Sequence, residues 1–434
     1  MNKIIIFFFI LFLTSNCSLN SNSKFWTKEE KIKLEKDSKI KEIFKKDKIF
    51  KKELNKNLKI KLSEKTNENS FVNNFDNNNG RTNYNGSLKK SSRFKFSKID
   101  NFTHMEPEIV FDQDNLIFFD NKGSLLKFDN SSNLIWSKNF YEKYDKKSKP
   151  LLSLSSNKKL LLVADNLGKI YAVNINTGEL LWEKRNNTPF NSQLKIHKDR
   201  FFVVDINNIL RCYSLKNGNE IWQFKTDQSF IKSLKKMSLI IVEDKIFFNN
   251  SLGDISAVNL NNGNMIWQTP TRASNIYQDS FSLKTSDLVA TKESIFFSNN
   301  KNEFFSLDII NGSLNWKQPV NSNLRPTIIG NLIFTVTIEG YLVVINKKNG
   351  NIIRSTDIFQ QFGTKKRKII TPVGFIVGKN NIYLTTTSGH LLVVDVLTGR
   401  TLSILKIDSK KISRPFLLNQ NLYIIEKSSI IKLN

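Results

Sequence analysis

The sequence predicts an all-β protein: an eight-bladed β-propeller of four-stranded antiparallel blades, preceded by a signal peptide and a Lys-rich N-terminal extension. Three observations predict it. From about residue 95 onward, short β-type runs alternate with turn residues and no long amphipathic helix interrupts them. Within that region a pair of turns and a Trp recur in one register. Their period is that of a propeller blade.

The first residues read as an export signal spanning 1–16. Asn2 and Lys3 lead into an apolar run from Ile4 to Leu13, too short to span the ~30 Å core of a bilayer. Leu13-Thr14-Ser15-Asn16-Cys17 resembles a bacterial lipobox, in which the Cys becomes lipidated and N-terminal, with Asn16 standing where the pattern has Gly, Ala or Ser. Cys17 is therefore the expected lipid anchor. The second cysteine, Cys212, follows Arg211 in a strand-like run and reads as a small buried apolar residue. With two cysteines, no disulfide framework and no CxxC metal site exist.

Residues 17–92 form an extension and linker. Over 24–65, Lys is dense, and Ile32, Ile40, Ile43, Phe44 and Phe50 recur at loose helical spacing. Short helices, an extended arm and a charged tether all fit this pattern. Residues 66–92 are rich in Asn, Ser, Gly and Lys and read as loop. The net charge of +27 suits a solvated Lys-rich surface, or attraction to anionic membranes or acidic partners. The export signal argues against nucleic acid.

The propeller itself is expected over 93–434. Its clearest repeat runs from Val163 to Trp182: a strand, a turn at Gly168, a strand over 170–175, a turn at Asn176-Thr177-Gly178, and a strand carrying Trp182. Gly253, Gly263 and Trp267 repeat the same spacings of ten and four. Asn208, Gly218 and Trp222 match, as do Asn302, Gly312 and Trp316. Gly340 and Gly350 keep both turns but place Arg354 at the Trp position; Gly389 and Gly399 place Ser403 there. An early copy reads Gly123, Asn133, Trp136, and 421–434 begins an eighth that the chain end cuts short. The second turns, at 133, 178, 218, 263, 312, 350 and 399, are 38 to 49 residues apart. Four strands and three tight turns need about that many residues. Gly and Asn supply positive φ at the turns, and the Trp residues pack between blades. Because a ring must close without an open edge, the segment near 94–102 is expected to pair with the C-terminal strands and complete the eighth blade.

The motif Asp165…Gly168-x-Ile170-Tyr171-Ala172-Val173…Thr177-Gly178…Leu181-Trp182 resembles the pyrroloquinoline-quinone-type (PQQ-like) propeller repeat over roughly 110–434. Within that superfamily, a lipidated N-terminus and eight degenerate blades resemble the lipoproteins of the outer-membrane β-barrel assembly machinery. Gly253–Gln268 and Phe304–Lys317 are especially similar, and Phe75–Gly80 is similar to an eroded form of the stretch before the family's propeller. The resemblance implies a periplasm-facing scaffold, anchored in the outer membrane, that uses no cofactor. It implies binding to the barrel-inserting subunit and aid to unfolded outer-membrane proteins. The absence of Asp just after Cys17 agrees with outer-membrane sorting. By position, the family's docking loops fall at 229–236 and at the loop holding Asp279 and Asp287. There Ile231, Leu234, Lys235 and Asp287 match in kind.

Two alternatives remain. The same repeat occurs in quinoprotein dehydrogenases, which use a carboxylate base, acidic and amide calcium ligands and often a vicinal disulfide. This chain has no Cys-Cys pair, and His104, His197 and His390 fall in distant copies, His390 just after a turn where exposure is expected. No acid, base and ligand cluster can be read at any spacing. The other alternative is an exported propeller that binds a sugar or polymer through rim aromatics.

Overall fold

In a computed structural model the described residues are 51–63, 65–69, 75–99, 106–228, 235–271, 285–299 and 302–434. They build eight four-stranded antiparallel sheets. The first comprises Val110–Asp112, Asn115–Phe119, Leu125–Phe128 and Leu134–Lys138, paired in that order. The next six span 152–185, 195–225, 239–269, 289–318, 327–357 and 372–406. In most of them the first strand is buried and the fourth largely exposed, as innermost and outermost strands of a blade are, but Ile352–Asp357 buries Arg354, Ser355 and Thr356. Leu239–Val242 begins fully buried, whereas Leu134–Lys138 buries only Trp136.

The eighth sheet closes the ring. Lys90–Lys95 pairs antiparallel with Ser429–Leu433, with Arg93 opposite Ile431 and Lys95 opposite Ser429. The closing strand lies a little before the expected 94–102. Hydrogen bonds from Phe96 to Ser428 and Ile99 to Lys427 continue beyond it. The outer strand of the last blade thus comes from the front of the chain, and no sheet edge is left at the seam.

The repeat's turns explain how blades interlock. The third and fourth strands of seven blades share a bulge at one place, for example between Ala172 and Val173 opposite Leu180–Trp182. The extra residue, such as Leu181, faces solvent, and the Trp is aimed at the next blade. There it lies flat against the second-turn glycine. A Cβ on Gly312 would come within 2.5 Å of Trp267, and one on Gly218 within 2.5 Å of Trp182. Three of the indoles also donate to the carbonyl three residues ahead of that glycine: Trp182 to Leu215, Trp267 to Ile309 and Trp316 to Lys347.

Arg354 does the same job where Trp is missing. It is fully buried, packs beneath Gly399 and donates to the carbonyls of Val396 and Leu397. It also reaches the Leu58 carbonyl at 3.1 Å. Residues 51–63 run as an extended arm beside the sixth blade, with Leu54 bridging Ser355 at 3.0 Å in both directions. In the first blade the positive φ of the second turn belongs to Ser132 (71°), not Asn133. That restores the four-residue spacing to Trp136 and moves the one-residue deletion ahead of the turn.

Successive strands alternate in direction. The first turns and the links between blades therefore share one face, called here the connector face. The second turns lie on the other.

Candidate functional site at the channel mouth

The inner strands surround a central channel, and in five blades the residue two places before the inner strand joins a polar network at its connector-side mouth. That position holds Glu108, Gln193, Asp287, Arg325 and Arg414 in five blades. They form one network. Arg325 donates through Nε to Asp287 Oδ2 at 2.8 Å, with Nη2 2.6 Å from the same oxygen. Arg414 Nη2 lies 2.6 Å from Glu108 Oε1, and its Nη1 3.7 Å from Asp287. Gln193 touches Asp287 at 3.4 Å. Lys235 and Glu106 line the same opening, with Asn79 and Asn323 beside them.

Electrostatics at the mouth follow from burial plus pairing. Burial alone would raise the Asp287 carboxyl, but Arg325, Arg414 and Lys235 hold it well below the usual carboxylate range. Burial lowers Lys235 and Lys236, with acidic neighbours opposing the shift. Lys195 is pushed down to about 7 by burial and by Arg325. An aspartate kept ionised by two guanidinium groups is a weak proton acceptor. Its fixed charge suits recognition of a charged partner.

Residues 75–82 cross the channel. Ile241 donates to the Phe75 carbonyl and Ala290 to Asp76, and Ile328 and Thr82 continue the crossing through Asn78 and Val377. At its centre Asn77, at φ 59°, donates to Gln193 and to the Leu288 carbonyl at 3.0 Å each. Its Oδ1 accepts from Lys195 Nζ at 2.7 Å. The stretch read from sequence as an eroded motif is therefore a plug joining four blades.

Of the residues singled out from sequence, Lys235 and Asp287 meet at the mouth. Asp287 sits inside the ion-pair network rather than on an open loop. Cys17, Ile231 and Leu234 lie outside the described residues, as do Asp279 and His104. Cys212 is buried in the third blade, and burial pushes its thiol up to about 12. His390 is a correction. It was expected to be exposed but is 7 % exposed, wedged against Phe362 with Lys366 Nζ 2.9 Å away. Its turn folds back under the sixth-to-seventh link. Glu108, Arg325, Arg414 and Lys195 were missed, because their partners lie one blade or more away in sequence. The signal that finds Glu108, Arg325 and Arg414 is an ionisable residue two places before an inner strand; Lys195 opens its strand and carries no such signal.

Among the described residues no three His, Cys, Asp or Glu side chains converge. The axial carboxylates Glu108 and Asp287 are each clamped by arginine.

A family model described as outer membrane protein assembly factor BamB matches residues 121–356, more than half of the chain. The chain belongs to the BamB family. No curated protein sequence matches it. Among solved structures, BamB from Moraxella catarrhalis superposes with a TM-score of 0.65 at 13 % identity, covering 80 % of this chain and 99 % of that one. The quinohemoprotein alcohol dehydrogenase of Comamonas testosteroni gives 0.60 at 10 %, covering 80 % and 76 %. The computationally designed protein Ika8 gives 0.59 at 11 %, covering 78 % and 99 %. At such identities these likenesses carry the eight-bladed fold, and family membership rests on the BamB match. No described helix is long and apolar enough to cross a membrane.

Proposed function

We propose that this BamB-family chain is a non-enzymatic scaffold of the outer-membrane β-barrel assembly machinery. It faces the periplasm, is held at the outer membrane by lipid on Cys17, docks on the barrel-inserting subunit (BamA) and aids the insertion of unfolded outer-membrane proteins. The observation that carries the docking reading is the meeting of Lys235 and Asp287 in one charged opening. Ile231 and Leu234 supply the apolar part of the anchor. Interfaces of this kind draw most of their energy from a few such residues, each costing about 1–4 kcal/mol when truncated.

The test is co-purification from membranes. A combined Ile231→Ala, Leu234→Ala and Lys235→Ala variant is expected to keep its thermal melt and lose the partner. Full recovery of the partner would move the interface elsewhere. A second reading, a PQQ-dependent dehydrogenase, is favoured by the shared fold of the Comamonas enzyme. Arginine-clamped axial carboxylates count against it. Added PQQ and calcium are expected to leave the melting temperature unchanged; a saturable rise would favour the enzyme.

A further inference from the structure

Two of the links on the connector face leave the pattern of the others by forming short helices, Lys143–Lys147 and Thr364–Arg367. One joins the first and second blades and the other the sixth and seventh. Each presents an apolar or aromatic side chain standing in solvent. Tyr144 is 79 % exposed and Ile369 is 76 % exposed, the two highest values among large hydrophobic side chains of the described residues. Each is ringed by cations. Lys143, Lys147 and Lys149 are exposed around Tyr144, and Lys365 and Lys368 around Ile369.

The second patch extends onto its neighbours. Lys366 meets His390, Ser388 bonds His390, and Lys406 Nζ donates to the Ser388 carbonyl at 2.6 Å. Lys410, in the seventh-to-eighth link, backs onto the Gly389 turn through its carbonyl. Acids are present but fewer than cations, with Glu142 exposed beside Tyr144 and Asp408 behind the Gly389 turn. Asp357 is taken by Arg367 at 2.7 Å, and in the first patch Asp145 is taken by Arg185 at 3.0 Å.

A lone apolar side chain among lysines does not form a groove for a protein segment. It suits the headgroup region of a bilayer, where amphipathic side chains enter the interface while cations meet anionic lipid. Two such points on one face can touch a plane at once; a protein partner would need a separate pocket for each. We propose that the seam side of the connector face, where blades seven, eight and one lie between the helices Lys143–Lys147 and Thr364–Arg367, touches an anionic phospholipid surface, away from the links of the third to fifth blades that carry Lys235 and Asp287. The contact adds to lipid anchoring and does not depend on partner docking.

Each basic residue near an anionic bilayer is worth about fivefold in partition, from about 1 kcal/mol. The probe is the full chain with Cys17→Ser, mixed with vesicles of phosphatidylcholine alone or with about one-third phosphatidylglycerol. The quantity read is the ratio of partition into the two, which cancels any contribution of the leader. Four reversals, Lys143→Glu, Lys147→Glu, Lys365→Glu and Lys368→Glu, are expected to lower that ratio at least about a hundredfold. Paired Tyr144→Ser and Ile369→Ser changes, which leave charge intact, are expected to lower partition several-fold. Four reversals on the opposite face, Lys158→Glu, Lys159→Glu, Lys216→Glu and Lys348→Glu, change net charge equally and are expected to retain most of it. Circular dichroism melts accompany every variant. Equal loss in both fourfold variants, no selectivity for anionic vesicles in the unsubstituted chain, or no loss in folded connector-face variants would overturn the proposal. An effect confined to capture of acidic proteins, with vesicle partition unmoved, would overturn it as well.

Discussion

Gly312→Ala isolates the contact that locks one blade to the next. Gly312 has φ +72°, and an added Cβ would meet Trp267 Cε3 at 2.5 Å and Thr269 Oγ1 at 2.6 Å. Left-handed backbone costs an alanine about 1–2 kcal/mol. Displacing a packed indole adds about 1–3 kcal/mol. The sum is about 2–5 kcal/mol, a large part of a domain's stability of about 5–15 kcal/mol. Gly330 supplies the control. Its φ is +57°, and nothing lies within 4 Å of its Cβ position. Gly330→Ala should therefore cost only the backbone share, about 1–2 kcal/mol. Urea unfolding followed by circular dichroism measures both. Trp267→Ala should cost about 3–5 kcal/mol alone. Adding Gly312→Ala to it should cost less than it does in the unsubstituted chain, by a coupling of about 1–3 kcal/mol, with only the backbone share and the Thr269 contact left. Equal costs for the two glycines, or additivity with Trp267→Ala, would refute the latch.

Arg354→Trp should restore the standard latch while cutting the bond to Leu58, so limited proteolysis near 51–63 should quicken without a lower melting temperature. Deleting 422–434 removes two strands of the eighth blade and leaves Lys90–Lys95 unpaired; cooperative unfolding should be lost, as a denaturant titration would reveal. Lys195 has a folded pKa of about 7 against an ordinary 10.5. Between those values the unfolded chain holds more protons, so stability rises with pH across that window and the penalty is full below about 7, an upper bound of about 5 kcal/mol. Lys195→Met should flatten the pH dependence of the urea midpoint between those limits; an unchanged slope would assign it to other groups. Mass spectrometry of the mature N-terminus should find acyl chains on Cys17.

The blades were legible because each turn needs a residue tolerant of positive φ. Gly168, Asn208, Gly253 and Asn302 all adopt it where the repeat requires it. Ser132 hid the same conformation behind a side chain that does not advertise it. The seam was legible from the principle that a ring leaves no edge, although the closing strand begins at Lys90 rather than Phe94. The mouth was legible only in half. Lys235 and Asp287 came from resemblance, whereas the partners of Arg325 and Arg414 lie on the neighbouring blade, 38 and 306 residues away in sequence, so only their shared position before an inner strand marks them. Arg354 was visible as a missing Trp, but its second role, holding the arm at Leu58, depends on a contact 296 residues away in sequence.

As proposed, this propeller docks on the barrel assembly machinery. Affinity purification of the native chain from detergent-solubilised envelopes, with mass-spectrometric identification of stoichiometric partners, tests it most directly. The barrel-inserting subunit should be recovered in near-equal amount and be lost in the Ile231→Ala, Leu234→Ala, Lys235→Ala variant with its melt intact. Recovery of a well-folded chain with no such subunit, or with a bound quinone and alcohol-oxidising activity, would contradict it.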